Sequence, residues 1–231
     1  MLTLHLYHLS PFNEKIQRML NVKGVPYESK EWRVAERSKI VKISPTGKLP
    51  ALEHDGKIVC DSTEMAYYIE EQFPDPSLLP ADPKLRGMLH ALEDWADESL
   101  YFYEMTLRFT TNENGKRNIP RLIELESAPM RWVLTRALPG VLRKITRKQG
   151  VGLKSLASLT ADTERHIRAV SDMLSEDEWL LDNRLTLADL AVYAMFQCFR
   201  DADIAAELLN KYPRVTAWMQ RIEDQTSAVP Q

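Results

Sequence analysis

Four prolines within ten residues, Pro74, Pro76, Pro80 and Pro83, divide this chain into two parts that follow different hydrophobic periods. Proline has no amide hydrogen and fixes its own φ, so a run this dense ends regular structure and reads as a linker over 74–84. Before it, period two and period 3.6 alternate; beyond it only period 3.6 persists. A chain patterned in this way is restricted to a small α/β unit over residues 1–80 followed by an all-α bundle over 85–231.

In the first part, Leu2, Leu4 and Leu6 alternate with Thr3, His5 and Tyr7, as in a half-buried strand. After Ser10-Pro11, the residues Phe12, Ile16, Met19 and Leu20 recur at i, i+4, i+7 and i+8, one face of a helix that Gly24 stops. Val25–Trp32 reads as a second strand and Val34–Ile43 as a short helix. Asp55-Gly56 between two short apolar runs is a hairpin signal, and Met65, Ala66, Ile69 and Phe73 return to helical spacing. In the second part, Leu85 to Ser99 and Val215 to Ile222 keep helical spacing, which predicts five or six helices. Leu185-Thr186-Leu187-Ala188-Asp189-Leu190 has the form of a capping box with a hydrophobic staple, a folding signal worth roughly 1 kcal/mol.

Composition excludes several classes. With 30 Lys+Arg against 33 Asp+Glu, the net charge of −3 gives no general case for nucleic-acid binding. No uncharged apolar stretch of membrane-spanning length occurs, and the N-terminus lacks the parts of a signal peptide, so no membrane partner and a cytoplasmic location are expected. Cys60 and Cys198 stand far apart without a second ligand nearby, which argues against a disulfide, a metal site or a dithiol motif. Cys60 reads as a buried strand residue.

The order strand, helix, strand, helix, hairpin, helix, linker, bundle resembles the layout of cytosolic glutathione transferases, and separated motifs agree with it. Ser10-Pro11-Phe12 resembles the start of the serine-type classes, Ser44-Pro45-Thr46-Gly47-Lys48-Leu49-Pro50-Ala51-Leu52 the Asn-Pro-x-Gly-Lys-x-Pro-x-Leu segment, and Asp61-Ser62 the acidic-Ser pair. Leu185 to Asp189 resembles the capping motif of the second domain. The resemblance implies a thioredoxin-like first domain, glutathione as co-substrate, no metal, and a homodimeric detoxification enzyme acting on a small hydrophobic electrophile.

It also implies roles. The bond before Pro50 is expected to be cis, exposing the Leu49 backbone to the cysteinyl part of glutathione. Asp61 and Ser62 would serve the γ-glutamyl end at a helix mouth, and Lys48, or after it Lys39, the glycyl carboxylate. Ser10 would donate a hydrogen bond to the sulfur. Lowering a thiol from about 8.5 to about 6.5 requires roughly 2.7 kcal/mol. A hydrogen bond to a charged acceptor supplies about 1.5–3 kcal/mol and a helix N-terminus about 0.3–1, which suffices without a general base. Tyr7 is the rival donor, and Asn13 assists the thiolate or caps the turn. Phe12, Tyr101, Tyr103, Met105 and Arg108 are candidates for the electrophile wall.

Three functions remain open at this level: thiolate attack on an electrophile, glutathione-dependent isomerisation or ether cleavage, and a non-catalytic ligand carrier in which Ser10 is only a helix cap. One stretch stands outside this frame. Between Pro129 and Leu159 lie Arg131, Arg136, Arg143, Lys144, Arg147, Lys148 and Lys154 with no acidic residue. Pro139-Gly140 and Gly150-Val151-Gly152 are expected to cut this run into short pieces, making it a solvated rim that draws in anionic ligands.

Overall fold

A computed structural model describes residues 1–174 and 177–227; residues 175–176 and 228–231 of the expected helical part lie outside the described residues. The first part is a four-stranded sheet of β1 (Leu2–Tyr7), β2 (Glu28–Trp32), β3 (Ala51–His54) and β4 (Lys57–Cys60) in the order β2-β1-β3-β4. β1 runs parallel to β2 and antiparallel to β3, and β3 antiparallel to β4. Helices α1 (Pro11–Val22), α2 (Arg37–Ile40) and α3 (Ser62–Gln72) complete it.

The alternation in β1 has the expected consequence. Leu2, Leu4 and Leu6 enter the main core with Ile16, Met19 and Leu20 of α1 and Met65 and Ile69 of α3. Tyr7 and Trp32 pack on the other face against Ile40, Leu49 and Ala51. Asp55 and Gly56 both take positive φ, 49° and 85°, as a two-residue turn matched to strand twist requires.

Two elements are shorter than predicted. β2 begins at Glu28 rather than Val25, because Pro26 has no amide for the ladder and the Val25 amide closes α1 on the Leu20 carbonyl at 3.1 Å. The helix expected over Val34–Ile43 is a 3₁₀ turn (Val34–Glu36) followed by α2, since the Ile40 carbonyl takes the amides of both Ile43 and Ser44 and turns the chain away.

The second part opens with a long rod: α4 (Pro83–Trp95), a π-helical turn (Ala96–Leu100), α5 (Tyr101–Met105) and a second π-helical turn (Thr106–Thr110). Six helices follow: α6 (Asn112–Leu122), α7 (Ala128–Gln149), α8 (Leu156–Met173), α9 (Leu187–Phe199), α10 (Asp203–Leu209) and α11 (Pro213–Thr226). Among the described residues this part thus has eight α-helices, and the surplus over five or six comes from the short α5 and α10. α7 is the larger departure: it runs through Pro139-Gly140 and stops only at Gly150, whose φ is 113°. An internal proline removes one intrahelical bond, and here Leu138 and Thr146, both buried, hold the flanking turns against the protein.

α9 is buried on nearly every side and sits between the two parts, packing against α1 and α4. Asp189 accepts the Thr186 amide (2.9 Å) and hydroxyl (2.7 Å) on one oxygen, and the Leu180 amide (2.9 Å) and Trp218 indole (3.0 Å) on the other. The capping box thus also ties α11 to α9. The main hydrophobic cluster is continuous from Leu2 to Ile222, so the two parts share one core. The linker contains a cis bond before Pro76 that the sequence did not signal.

Candidate active site

Strand register brings the separated motifs to one end of the sheet. Ala51 of β3 pairs with His5 on one side and Cys60 on the other. The segments that follow His5, precede Ala51 and follow Cys60 therefore emerge together: Tyr7 to Phe12, Lys48 to Pro50, and Asp61-Ser62.

Ser10 is the N-cap of α1, but its hydroxyl makes no cap hydrogen bond. The Ser10 carbonyl takes the amides of Asn13 (3.2 Å) and Glu14 (3.4 Å), Pro11 has no amide, and the Phe12 amide has no partner among the described residues. A hydroxyl and an amide are thus left at the positive end of a helix dipole, a ready arrangement for an anion. Leu9, just before, has φ 60°, and its carbonyl accepts from both terminal nitrogens of Arg108 at 3.4 Å. Arg108 is buried in the second π turn and paired with Glu104 at 2.9 Å, so the rod fixes the loop that presents Ser10. Asn13 is buried and donates to the Tyr7 carbonyl, joining α1 to the end of β1. Tyr7 packs beside Leu49, and burial holds its phenol above the ordinary range, partly offset by Arg37.

The Leu49-Pro50 bond is cis, with both residues buried, and stands just before the first paired residue of β3. Lys48 is exposed. Arg37, which the sequence reading passed over, lies across Gly47, its guanidinium 3.5 Å from where a Cβ would stand. Lys39 instead pairs with Glu36 at 2.9 Å.

At the mouth of α3, Asp61 (φ 76°) caps its own helix, accepting the amides of Thr63 (2.9 Å) and Glu64 (3.4 Å). The Ser62 hydroxyl donates to Asp97 at 3.3 Å, and the Ser62 amide has no partner among the described residues. Behind this turn is an ionic cluster that sequence reasoning missed. Lys15 of α1, fully buried, contacts Glu93 at 2.8 Å and Asp97 at 2.7 Å, and Thr63 donates to Glu93 at 2.7 Å. Asp97 lies in the first π turn, and one of its oxygens has no partner. On the rod, Glu93 and Asp97 thus hold Lys15 of α1 while Arg108 holds the Leu9 carbonyl, and Asp97 and Arg108 lie in the two π turns.

Burial outweighs the Lys15 attraction and pushes the Asp97 carboxyl up to about 6. A carboxylate raised in the fold binds protons that the unfolded chain has released, so its contribution is complete below about pH 4 and lost as pH rises through about 6. Asp97→Asn should flatten the fall in stability across that window, measured by denaturant unfolding at fixed pH steps; a wild-type profile identical to the variant's would contradict it.

The five candidates for the electrophile wall separate. Phe12 and Tyr101 meet, their ring centroids 4.8 Å apart, and Arg108 reaches the loop beside them. Tyr103 and Met105 belong to the core: the Tyr103 hydroxyl donates to Asp162 at 3.0 Å and its ring covers His166, while Met105 packs with Phe109, Ile119, Ile123 and Leu138. Tyr101 and Tyr103 stand two apart in α5, about 200° around the helix, so one faces Phe12 and the other the core. Cys60 is half-buried at the end of β4, and Cys198 is buried.

The model of the glutathione S-transferase N-terminal domain matches residues 4–77, and that of the glutathione S-transferase C-terminal domain matches residues 152–226. The chain belongs to the glutathione S-transferase family. Protein LigF of Sphingobium sp. is 27% identical over 248 residues, covering 96% of this chain and 90% of LigF. Glutathione S-transferase U7 of Arabidopsis thaliana is 35% identical over 98 residues, but that match spans 42% of this transferase and 43% of U7. Among solved structures, a glutathione S-transferase from Rhodospirillum rubrum superposes with a TM-score of 0.69 at 22% identity, covering 96% of this chain and 88% of that one. The β-etherase LigF structure does so with a TM-score of 0.64 at 22% identity, covering 96% and 94%. Residues 78–151 of this transferase, which include α6 and α7, fall outside both domain models.

Proposed function

We propose that this transferase is an enzyme that binds glutathione across the three helix and loop ends described above and attacks a small hydrophobic electrophile with the glutathione thiolate. The observation that carries this reading is the Ser10 hydroxyl, free of its own cap beside the unpartnered Phe12 amide. Asp82 and Ser155 bond amides of their own first turns, whereas Ser10 at α1 and Ser127 at α7 do not; Ser10 differs from Ser127 in standing beside the cis bond before Pro50 and the mouth of α3.

In this reading the sulfur lies at the mouth of α1, the cysteinyl backbone runs along Leu49 before Pro50, and the γ-glutamyl carboxylate takes the Ser62 amide. The Asp61 carboxylate at the same mouth receives the neighbouring ammonium. Arg37 and Lys48 stand at the glycyl end, with Lys39 less suited because Glu36 holds it. Phe12 and Tyr101 form the apolar side where the electrophile rests. Asn13 acts through the backbone of the loop. The protein works as a cytoplasmic homodimer.

Ether cleavage is the form of the reaction we favour, because the similarity to LigF, described as a β-etherase, extends over nearly the whole of both chains. The thiolate forms a C–S bond at the carbon bearing the ether oxygen as the C–O bond breaks, and the oxygen departs with the electron pair and takes a proton from water. Titrating glutathione on the protein by thiolate ultraviolet absorbance tests the reading. The bound thiol should ionise about two units below its free value near 8.5. Ionisation at the free value would overturn it.

A further inference from the structure

We propose that the exposed face of α7 docks this protein peripherally on membranes rich in acidic phospholipid. Of the two breaks expected in the basic run, Gly150 does end the helix, but Pro139-Gly140 does not cut it: the helix is continuous over Ala128–Gln149. Arg143, Lys144, Arg147 and Lys148 therefore occupy two successive turns of one helix. With Gly140 and Leu153 they line a shallow depression of about 430 Å³. None of the four forms an ion pair among the described residues, and no acidic residue occurs between Pro129 and Leu159 to neutralise them.

Charge alone would fit any anion, but the same surface is also apolar. Six of the twelve large hydrophobic side chains exposed among the described residues fall between 132 and 156, with Trp132 at 62%, Leu153 at 61% and Leu156 at 56% exposure. Val141 and Ile145 lie at i and i+4, one exposed stripe beside Lys144 and Lys148, with exposed Trp132 and Val133 about two turns nearer the start of the helix. Phosphate binding to a nucleic acid leaves such aliphatic groups in water. A second copy of this face in a two-fold dimer would set the cations against each other. A lipid surface takes both components: headgroup phosphates meet the basic side chains while the aliphatic groups and an indole enter the boundary layer. No helix among the described residues is long and apolar enough to cross a membrane, so the contact is peripheral.

Flotation of the full chain with vesicles tests this. With phosphatidylcholine vesicles containing a quarter phosphatidylglycerol, wild type should float at low salt, and with pure phosphatidylcholine it should not. Joint reversal of the four cations (Arg143→Glu, Lys144→Glu, Arg147→Glu, Lys148→Glu) should weaken binding more than ten-fold with the circular dichroism spectrum retained. Leu153→Ser with Leu156→Ser changes no charge and should lower binding several-fold at moderate salt; this variant and the lipid comparison decide the matter if the reversal variant does not fold. Absence of flotation at low salt, or indifference to both sets of substitutions, overturns the proposal. Binding to polyglutamate or duplex DNA as tight as to the acidic vesicles, with the leucine variant unchanged, overturns it in favour of an acidic macromolecule.

Discussion

Lys15→Met is expected to destabilise the protein by about 3–5 kcal/mol at neutral pH, the range found when one partner of a buried ion pair is removed. Lys15 is fully buried and its amine holds two carboxylates, Glu93 at 2.8 Å and Asp97 at 2.7 Å, both on the rod. Methionine fills much the same volume, so the loss reflects uncompensated charge rather than a cavity. The deficit should shrink on acidification. Without the amine, the Asp97 carboxyl rises further above its ordinary range, and the fold then binds a proton that the unfolded chain does not hold near pH 5. Denaturant unfolding at pH 7 and pH 5, with the slope m unchanged, measures both effects. A difference under 1 kcal/mol at pH 7 would show that the cluster does not hold the lobes together. The same variant should weaken glutathione binding, because Glu93 and Asp97 anchor Thr63 and Ser62 in the turn that offers its amide.

That cluster marks the boundary of what the amino-acid sequence discloses. Local features were legible because their causes are local. Asp55-Gly56 needs two positive φ values, Thr186 and Asp189 are three residues apart, and the strand alternation of Leu2, Leu4 and Leu6 is fixed by the pleat. The cis bond before Pro50 was reachable only through family likeness, and the one before Pro76 carried no signal. Lys15 contacts residues 78 and 82 positions away, and Arg108 reaches Leu9 across 99. Pairings at such separation are set by how the rod crosses α1, which no window of sequence contains. A trace was present nonetheless. Lys15 lies at i+3 from Phe12 and i−4 from Met19, on the apolar stripe of α1, and Glu93 at i+4 from Leu89 on that of α4. A charge on an apolar stripe predicts a buried partner. The π turns left no such trace, and the core partners of Tyr103 and Met105, Asp162 on α8 and Ile119 and Leu138 on α6 and α7, are likewise distant in sequence.

Ser10→Ala is expected to lower turnover at pH 7 by about 3- to 25-fold while leaving glutathione affinity within a few-fold. The hydroxyl is one group among many that hold the tripeptide, so binding in the ground state changes little. A hydrogen bond to a charged acceptor is worth about 1.5–3 kcal/mol, and its loss raises the bound thiol by about one to two units. A thiol near 6.5 is mostly thiolate at pH 7; one near 8.5 is about 3% thiolate. The deficit must therefore depend on pH, shrinking as pH rises and nearly vanishing above pH 9, where thiolate forms without assistance. A helix-cap role predicts the opposite pattern: lower stability, and a rate loss that is the same at every pH. Here the cap bond is absent, so stability should hold within about 0.5 kcal/mol. Tyr7→Phe is the control. Its ring packs with Ile40, Leu49 and Ala51, away from the mouth of α1, so removing the hydroxyl should leave the thiol titration in place. If Tyr7→Phe shifts that titration and Ser10→Ala does not, the thiolate is held from the strand end and the proposed role of α1 falls with Ser10.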